Sequence, residues 1–284
     1  ASGTVTVSGG PEGKTDWKVK VDEDLAAQAK DLTLKPGKLN LVTSASVPPY
    51  GYQETGTDTL RGSDIDIANA IGAKLGLDVE FSTMEFTGIL PAIQANRFDF
   101  SIASMGDTPE REKIVDFVDY STDSNSIVTT KGNPKKISGI DSLCGLNVSS
   151  VEGSVFLGLL EEQNTKCDTP INISIFQDNA NALLQVQTGR ADATMYQTGI
   201  ALYLIKTDKA SKNLEVIDSE EYGKGYNAIA FNKDNPQLRD LVQQALTALK
   251  DDGVYADIHD TWGLTANMLD KITVNDGLRF NQPT

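Results

Sequence analysis

Residues 93–99 read IQANRFD, and residues 186–192 nearly repeat them as VQTGRAD. Each stretch ends a run of apolar residues at helical spacing and enters a short apolar run long enough for one buried strand. Asn96 and Gly189 stand where a residue in the left-handed conformation commonly ends a helix. Because helix, stop and strand occur in the same order in both halves, the repeat predicts two similarly built α/β lobes with a crevice between them.

Apolar strands alternate with amphipathic helices along most of the chain. Ser63 can cap a helix whose apolar face continues to Lys74, and Gly76 stands where that helix should end. A short apolar run at Val79–Phe81 then predicts a strand, and the same alternation recurs after residue 146. This order predicts the α/β class, in which each lobe is a mostly parallel sheet flanked by helices.

Turn-rich breaks near Gly132 and Gly223 divide the alternation into two series. We expect the chain to cross between the lobes near both breaks, so that two strands form a hinge of the kind that lets domains close around a ligand. The predicted domains are a linker and N-terminal extension at 1–36, a discontinuous first lobe at 37–128 and 228–284, and a second lobe at 129–227.

Both ends of the chain carry segments outside this alternation. Residues 1–13 are rich in Gly, Ser and Thr, which predicts a flexible tether. A tether of this kind suits an extracytoplasmic protein of the periplasm or cell surface, lipid-anchored through a removed N-terminal segment, and an ordinary disordered tail is the alternative. The last stretch, 265–284, could either wrap the first lobe or fray.

The net charge of −15 narrows the partners. It argues against nucleic acid, whose phosphates need basic side chains, and against face-on binding of an anionic membrane. No segment approaches the ~20 apolar residues that span a bilayer. Acidity alone names no ligand, since it mostly favours solubility and self-repulsion.

Cysteine and histidine usage limits the chemistry further. Cys144 and Cys167 could be free structural thiols or a disulfide, and a disulfide fits an exported protein. With His259 as the one histidine, the clustered ligands of a structural zinc site are missing. We expect no metal and no cofactor.

A candidate anion site lies beside the first repeat. A predicted strand ends at Ser104, a turn containing Gly106 exposes backbone N–H groups, and a helix begins with Arg111 in its first turn. Helix N-termini attract anions, and a guanidinium matches a carboxylate in a two-pronged fashion. We expect a carboxylate to bind here, unless Arg111 pairs with Asp107 or Glu110 on the surface.

The second lobe offers a matching corner. A predicted strand leads through Gly153 and Ser154 to a helix that begins at Val155, again with backbone N–H groups and a hydroxyl at a helix N-terminus. One such turn is common, but one in each lobe is more specific. A ligand bridging the two corners would hold the lobes closed.

The chain resembles the polar amino-acid substrate-binding proteins of ABC importers, family 3 of the extracellular solute-binding proteins. The likeness covers about residues 37–263, and its motifs occur in the family's order. They are Leu60–Ile67, Phe86–Ile93, Asp99, Thr108–Arg111, Gly153-Ser154, Thr188–Ala193, Asp252–Tyr255 and Trp262-Gly263. This resemblance implies a two-lobed periplasmic-binding-protein fold that performs no catalysis and delivers its ligand to a membrane permease.

The resemblance also implies roles for single residues. Arg111 and Ser154 are similar to the groups that hold a ligand carboxylate, and Ser104 and Gly106 to the strand-end segment that meets the ligand's amino group and carboxylate. Two further residues resemble the family's aromatic walls, although plain core positions are the alternative for both: Tyr50 and Phe86.

Departures from the family pattern bear on the ligand. Gly106 stands where Ser or Thr is usual, Val47 where an aromatic often stands, and Ser44 where binders of basic amino acids often have an aspartate. Gln197 replaces the acid that receives an α-ammonium group, and a neutral amide cannot neutralise a desolvated cation. We therefore expect a poor fit to ordinary α-amino acids, especially lysine and arginine, and favour a modified amino acid, an ectoine- or betaine-like zwitterion, an opine or another small carboxylate.

Two other functions share this fold. Cyclohexadienyl dehydratases resemble it and bind a carboxylate with an arginine, so a lyase is the alternative; its general acid would be Glu85 or Glu152, neither of which has an evident partner in the sequence. A ligand-sensing module of a receptor would need flanking membrane segments. The predicted function is a monomeric binding protein.

Overall fold

The computed structural model of the chain describes residues 3–218 and 221–281. Residues 1–2 of the predicted tether and residues 282–284 of the C-terminal stretch lie outside the described residues. The strands are β1 (Thr4–Gly9), β2 (Thr15–Lys20), β3 (Lys38–Thr43), β4 (Ser46–Val47), β5 (Gly51–Gln53), β6 (Leu60–Arg61), β7 (Asp78–Thr83), β8 (Phe100–Gly106), β9 (Asp116–Thr130), β10 (Asn147–Val151), β11 (Asn172–Phe176), β12 (Ala193–Gln197), β13 (Leu214–Val216), β14 (Tyr222–Phe231) and β15 (Thr273–Val274).

Helices connect most of these strands. They are α1 (Glu23–Ala29), α2 (Ser63–Lys74), α3 (Phe86–Gln94), α4 (Pro109–Glu112), α5 (Val155–Asn164), α6 (Asn179–Gln187), α7 (Thr198–Thr207), α8 (Pro236–Asp251) and α9 (Val254–Thr261). Short 3₁₀ helices occur at Ile140–Leu143, Lys209–Ser211, Thr265–Asn267 and Gly277–Arg279.

The described residues form two compact units. Unit 1 contains the chain up to Thr122 and from Gly225 onward, and unit 2 contains Asp123–Lys224. The chain passes between them within β9 and within β14, so two strands connect the units. The first crossing lies between Thr122 and Asp123, upstream of the predicted boundary at residue 128, and both positions fall within β9, which ends before the turn at Gly132.

In unit 1 the sheet order is β14-β8-β3-β7, with β3 parallel to both β7 and β8 and with β14 antiparallel to β8. A small antiparallel sheet, β4-β5-β6, lies apart from it. Helix α3 packs Ile89 and Ile93 against a buried cluster that includes Met105 of β8 and Phe117 of β9. Burial of such side chains stabilises the unit by about 1.5–3 kcal/mol each.

In unit 2 the order is β11-β10-β12-β9, with β13 also antiparallel to β9. Strand β10 is parallel to β11 and β12. The neighbours Ile127 and Val128 of β9 belong to two different buried clusters, one containing Phe156 of α5 and the other Leu183 of α6. Successive strand residues point to opposite faces, so helices cover both faces of this sheet. The predicted α/β fold class is confirmed.

The two repeats have the same local structure. Their helix stops both have positive φ, 56° and 76°. Asp99 donates its N–H to the carbonyl of Asn40 at 2.8 Å, and its carboxylate accepts the Asn40 N–H at 2.7 Å. Asp192 makes the same pair of bonds with Asn147, at 2.7 and 2.9 Å. Each repeat thus docks the segment before its strand onto the neighbouring parallel strand.

The prediction of a flexible N-terminal tether is wrong for the described residues. Strands β1 and β2 form an antiparallel hairpin in unit 1, with Thr4 opposite Lys20. The carboxylate of Asp66 accepts the Gly10 N–H at 3.0 Å and the Trp262 Nε1–H at 2.7 Å. Apolar residues that alternate with polar ones give the hairpin a buried face, which consists of Val7, Trp17 and Val19.

We expect Gly9→Ala to destabilise unit 1 by about 1–3 kcal/mol, because a Cβ at Gly9 would lie 1.9 Å from Asp66 Oδ1. The two tryptophans of the chain, Trp17 and Trp262, both belong to unit 1, so urea unfolding followed by tryptophan fluorescence measures this unit. Gly88→Ala is the matched control, because its Cβ would lie 3.7 Å from Met84 Cε. Equal midpoints for the two variants would contradict the prediction.

The C-terminal stretch packs onto unit 1 over its described residues. Strand β15 pairs antiparallel with β9, with Thr273 opposite Asp119, and Ile272 is buried.

In unit 2, Cys144 and Cys167 form a disulfide, which confirms that alternative over free thiols. In the chain-entropy model, a disulfide that closes a loop of this length stabilises the folded state by about 3 kcal/mol.

Candidate ligand-binding site

A buried carboxylate fixes the end of β8 in unit 1. Asp64, only 1% exposed, accepts a hydrogen bond from Ser104 Oγ at 2.8 Å and one from the Tyr120 hydroxyl at 2.6 Å. Burial and the charge of Asp64 raise the pKa of Tyr120 well above its usual value. Ser104 has a φ of +50°, a costly conformation for a residue other than glycine. The strand end is therefore held in a strained, preorganised turn.

Arg111 lies against this turn. Its Nη1 donates to the carbonyl of Gly106 at 2.8 Å, and its guanidinium carbon lies 5.8 Å from the centre of the Phe86 ring. Within residues 3–218 and 221–281, no carboxylate lies within ion-pair distance of it. Partial burial lowers the pKa of Arg111. The result is a half-buried cation with most of its N–H donors available.

The alternative of a surface ion pair for Arg111 is wrong. Glu110 pairs with Lys113 at 3.0 Å, and Asp107 is buried at 1% exposure. Thr108 caps α4 by accepting the Arg111 N–H at 3.3 Å, but α4 is a single turn. A helix this short adds little dipole, so the guanidinium is the main attraction for an anion at this corner.

The two predicted aromatic walls differ. Phe86 is 37% exposed and stacks on Arg111, so its ring is available beside the guanidinium. Tyr50 is only 3% exposed, and its hydroxyl accepts a hydrogen bond from Asn267 Nδ2 at 3.2 Å. Tyr50 is thus a core residue, and its assignment as an aromatic wall is wrong. Asn267, which contacts it, belongs to the 3₁₀ helix Thr265–Asn267 and lies 217 residues later in the sequence.

The predicted corner of unit 2 has the expected local structure. Gly153 has a φ of +74°, and Ser154 caps α5 by accepting the Leu157 N–H at 3.2 Å. Ser150 Oγ lies 3.4 Å from Ser154 Oγ. Val155 is 78% exposed, so the first turn of α5 is open to a ligand.

A cavity of 410 Å³ lies beside this corner, within unit 2. Its volume is in the range of small-molecule sites. It brings together three of the predicted binding residues, Ser154, Val155 and Gln197. The lining consists of Asn125, Ser150, Val151, Ser154, Val155, Phe156, Asn179, Thr194, Met195, Tyr196, Gln197, Ile200, Tyr222 and Gly223.

Gln197 has a partner that the sequence did not reveal. Its side-chain amide, Nε2, donates to Oδ2 of Asp123, a residue 74 positions earlier in β9. The other oxygen of Asp123 accepts the N–H of Ser124 at 2.8 Å. The neutral amide of Gln197 therefore has a carboxylate in direct contact.

The candidate general acids of the lyase alternative are solvated. Glu85 is exposed at the start of α3, and Glu152 is exposed with Gln177 Nε2 donating to it at 2.7 Å. Among the residues that the structure describes, no cluster of His, Cys, Asp and Glu could hold a metal ion. Over the same residues, no helix has both the length and the apolar composition to cross a bilayer.

Comparison with known proteins identifies the class. Residues 39–265 match the model of the bacterial extracellular solute-binding proteins, family 3, so the chain belongs to this family of extracytoplasmic binding proteins. It is 29% identical over 228 residues to the arginine-binding extracellular protein ArtP of Bacillus subtilis, covering 79% of this chain and 86% of that protein.

Solved structures agree. An ancestral arginine-binding protein bound to arginine is 33% identical, with a TM-score of 0.57 over 80% of this chain and 98% of the other. An ancestral amino acid-binding protein described as a precursor of cyclohexadienyl dehydratase is 31% identical, with a TM-score of 0.59 over 80% and 95%. The relatives named here are binding proteins, and the chain has the solute-binding role of this family in an ABC importer.

Proposed function

We propose that this protein captures a small polar ligand bearing a carboxylate, an amino acid or an amino-acid derivative, and delivers it to an ABC permease. The observation that carries the proposal is Arg111, a half-buried guanidinium with no carboxylate partner among the described residues, fixed against the Gly106 carbonyl. A bare cation of this kind is complementary to a ligand carboxylate, which can accept two parallel hydrogen bonds from it.

The unit 2 corner supports the same chemistry. Ser154 and the exposed first turn of α5 border a cavity whose lining mixes aromatic, amide and hydroxyl groups. Small-ligand sites commonly combine an apolar lining with a few fixed polar groups. Closure of the two lobes on the ligand, lipid anchoring and a monomeric state stay predictions of the sequence.

A ligand screen tests this function. Thermal-shift measurements and calorimetry on the purified protein should detect one tight ligand among L-arginine, L-glutamine, L-cystine, ectoine and octopine. A ligand at ~100 times its dissociation constant stabilises the folded state by about 2.7 kcal/mol. Agmatine, which has the arginine side-chain cation but no carboxylate, is the matched negative. Tighter binding of agmatine than of arginine would contradict the proposal.

The lyase alternative is tested in the same preparation. We expect no turnover of prephenate, because Glu85 and Glu152 are exposed and neither is positioned in a desolvated pocket as a general acid must be. Product formed above the spontaneous rate, and abolished by Arg111→Ala, would favour the lyase instead.

A further inference from the structure

We propose that Asp123 supplies the negative charge that recognises an N–H-bearing cationic nitrogen of the ligand, taking the place of the acid missing at Gln197. The inference rests on the proposed function and deepens it, since it names a further specificity residue and a second chemical feature of the ligand. It concerns unit 2 alone, where both residues lie.

Strand register explains how Asp123 reaches Gln197. In the antiparallel pairing of β12 with β9, Gln197 lies opposite Asn125. Asp123 lies two residues earlier in β9 than Asn125 and so points to the same face of the sheet. Diagonal neighbours of this kind are within reach of a long side chain. The contact thus follows from the fold and places the carboxylate beside the residue that lines the cavity.

Buried hydroxyl groups fix the surroundings of the pair. Thr198, the residue after Gln197, has its Oγ1 3.1 Å from Ser124 Oγ and 2.6 Å from Ser126 Oγ. All three residues are buried, and the backbone N–H of Ser124 donates to Asp123. These bonds join β9 to the start of α7, so the two side chains are held on a rigid support rather than on a loop.

The orientation of the Gln197 amide gives the pair its selectivity. Its Nε2 donates to Asp123, so its carbonyl oxygen, on the other arm of the amide, is turned away from the carboxylate and accepts no hydrogen bond from the described residues. The pair therefore offers a ligand two acceptors, the amide oxygen and the neighbouring carboxylate, together with the second N–H of the Gln197 amide. Primary and secondary ammonium groups can donate to both, whereas a quaternary ammonium has no N–H to donate.

This arrangement changes the charge argument drawn from the sequence. The expectation of a poor fit to ordinary α-amino acids assumed that Gln197 left the site neutral. Because Asp123 contacts Gln197, the site keeps a negative charge, which lies on β9 instead of β12. A charge-assisted hydrogen bond is roughly twice as strong as a neutral one, so ligands with a donating ammonium are favoured over betaine-like ones.

Calorimetry on the full chain tests the inference with L-arginine and L-glutamine as probes. Asp123→Asn should weaken the binding of both probes by at least about tenfold, because it removes one charge-assisted hydrogen bond. It should leave Nα-acetyl-L-glutamine, which has no ammonium, within twofold of the wild type. Asp168→Asn, the same charge change at an exposed position of unit 2, is the matched control and should change neither probe.

A charge relocation separates recognition from folding. Asp123→Asn combined with Gln197→Asp returns the acid to position 197 and should restore affinity to within about threefold of the wild type. Asp123→Asn that binds both probes as tightly as the wild type overturns the inference and leaves the proposed function standing. If the wild-type protein binds neither probe, the inference is wrong. If replacing Arg111 by alanine leaves ligand affinity unchanged, the proposed function is wrong.

Discussion

Arg111→Ala should weaken ligand binding by about a hundredfold or more, about 2.8 kcal/mol, while leaving the fold intact. The guanidinium has five N–H donors, and the structure uses one of them for the Gly106 carbonyl at 2.8 Å. Alanine removes the whole donor set and leaves a ligand carboxylate without its counter-charge in a partly desolvated turn. Because no described side chain forms an ion pair with Arg111, little native structure is lost with it.

Arg111→Lys separates charge from geometry. Lysine keeps the positive charge but presents a point charge instead of a planar fork, so it cannot form two parallel bonds to a carboxylate. We expect an intermediate loss, about tenfold, with the ligand identified by the screen. Equal affinities for the lysine variant and the wild type would show that charge alone is recognised.

Arg97→Ala is the matched control in the same unit. Its guanidinium also stacks on a phenylalanine, 5.7 Å from the ring of Phe98, but it is exposed. By calorimetry, the ligand affinity of Arg97→Ala should lie within twofold of the wild-type affinity. If both arginine variants lose affinity equally, or if Arg111→Ala loses less than threefold, Arg111 does not bind the ligand and the proposed function loses its main support.

The fold was predictable because the signals that specify it are local. The repeat at residues 93–99 and 186–192 encodes a helix stop and a docking aspartate, and both repeats form the predicted structure with Asp99 and Asp192 in equivalent contacts. The Arg111 corner was predictable for the same reason: Thr108, a proline and an arginine within four residues specify a capped turn. These features can be predicted from neighbouring residues alone, without knowing how the strands pair.

The missed features all join residues far apart in sequence. Asp123 reaches Gln197 only because β9 and β12 pair in one register, and the burial of Tyr50 depends on the placement of a distant 3₁₀ helix. Likewise, nothing near Asp66 in the sequence shows that this acid of the first turn of α2 binds the N-terminal hairpin. A single sequence gives composition and periodicity, and neither fixes which distant side chains meet.

A buried acid pair in unit 1 is a further feature of this kind, and it makes stability depend on pH. Asp107 and Asp119 are 1% and 0% exposed, and both oxygens of Asp107 lack a donor from any other described group. Burial, then a hydrogen bond and charge from Asp119, raise the pKa of Asp107 to about 9. Burial also raises the pKa of Asp119, to about 6, so at neutral pH the two carboxyl groups hold one proton between them.

The sign follows from proton binding. An aspartate has a pKa near 3.9 when unfolded, so between that value and about 9 the folded state binds one more proton at Asp107 than the unfolded state does. Stability is greatest at low pH for this group and falls as pH rises, by about 1.4 kcal/mol per pH unit. His259, whose pKa burial lowers to about 4, has the opposite effect, but only below pH 6.5.

We therefore expect the free energy of unfolding of unit 1 to fall by about 3 kcal/mol between pH 6.5 and 8.5. Urea titrations followed by tryptophan fluorescence measure it, since both tryptophans lie in this unit. Asp107→Asn, whose amide can donate to Asp119 as the protonated acid does, should remove the slope and exceed the wild type in stability at pH 8.5. Asp58→Asn, an exposed aspartate of the same unit, should keep the wild-type slope. A wild-type stability that is constant over this range would mean that Asp107 is ionised in the folded protein, and a slope that survives in Asp107→Asn would assign the titration to another group.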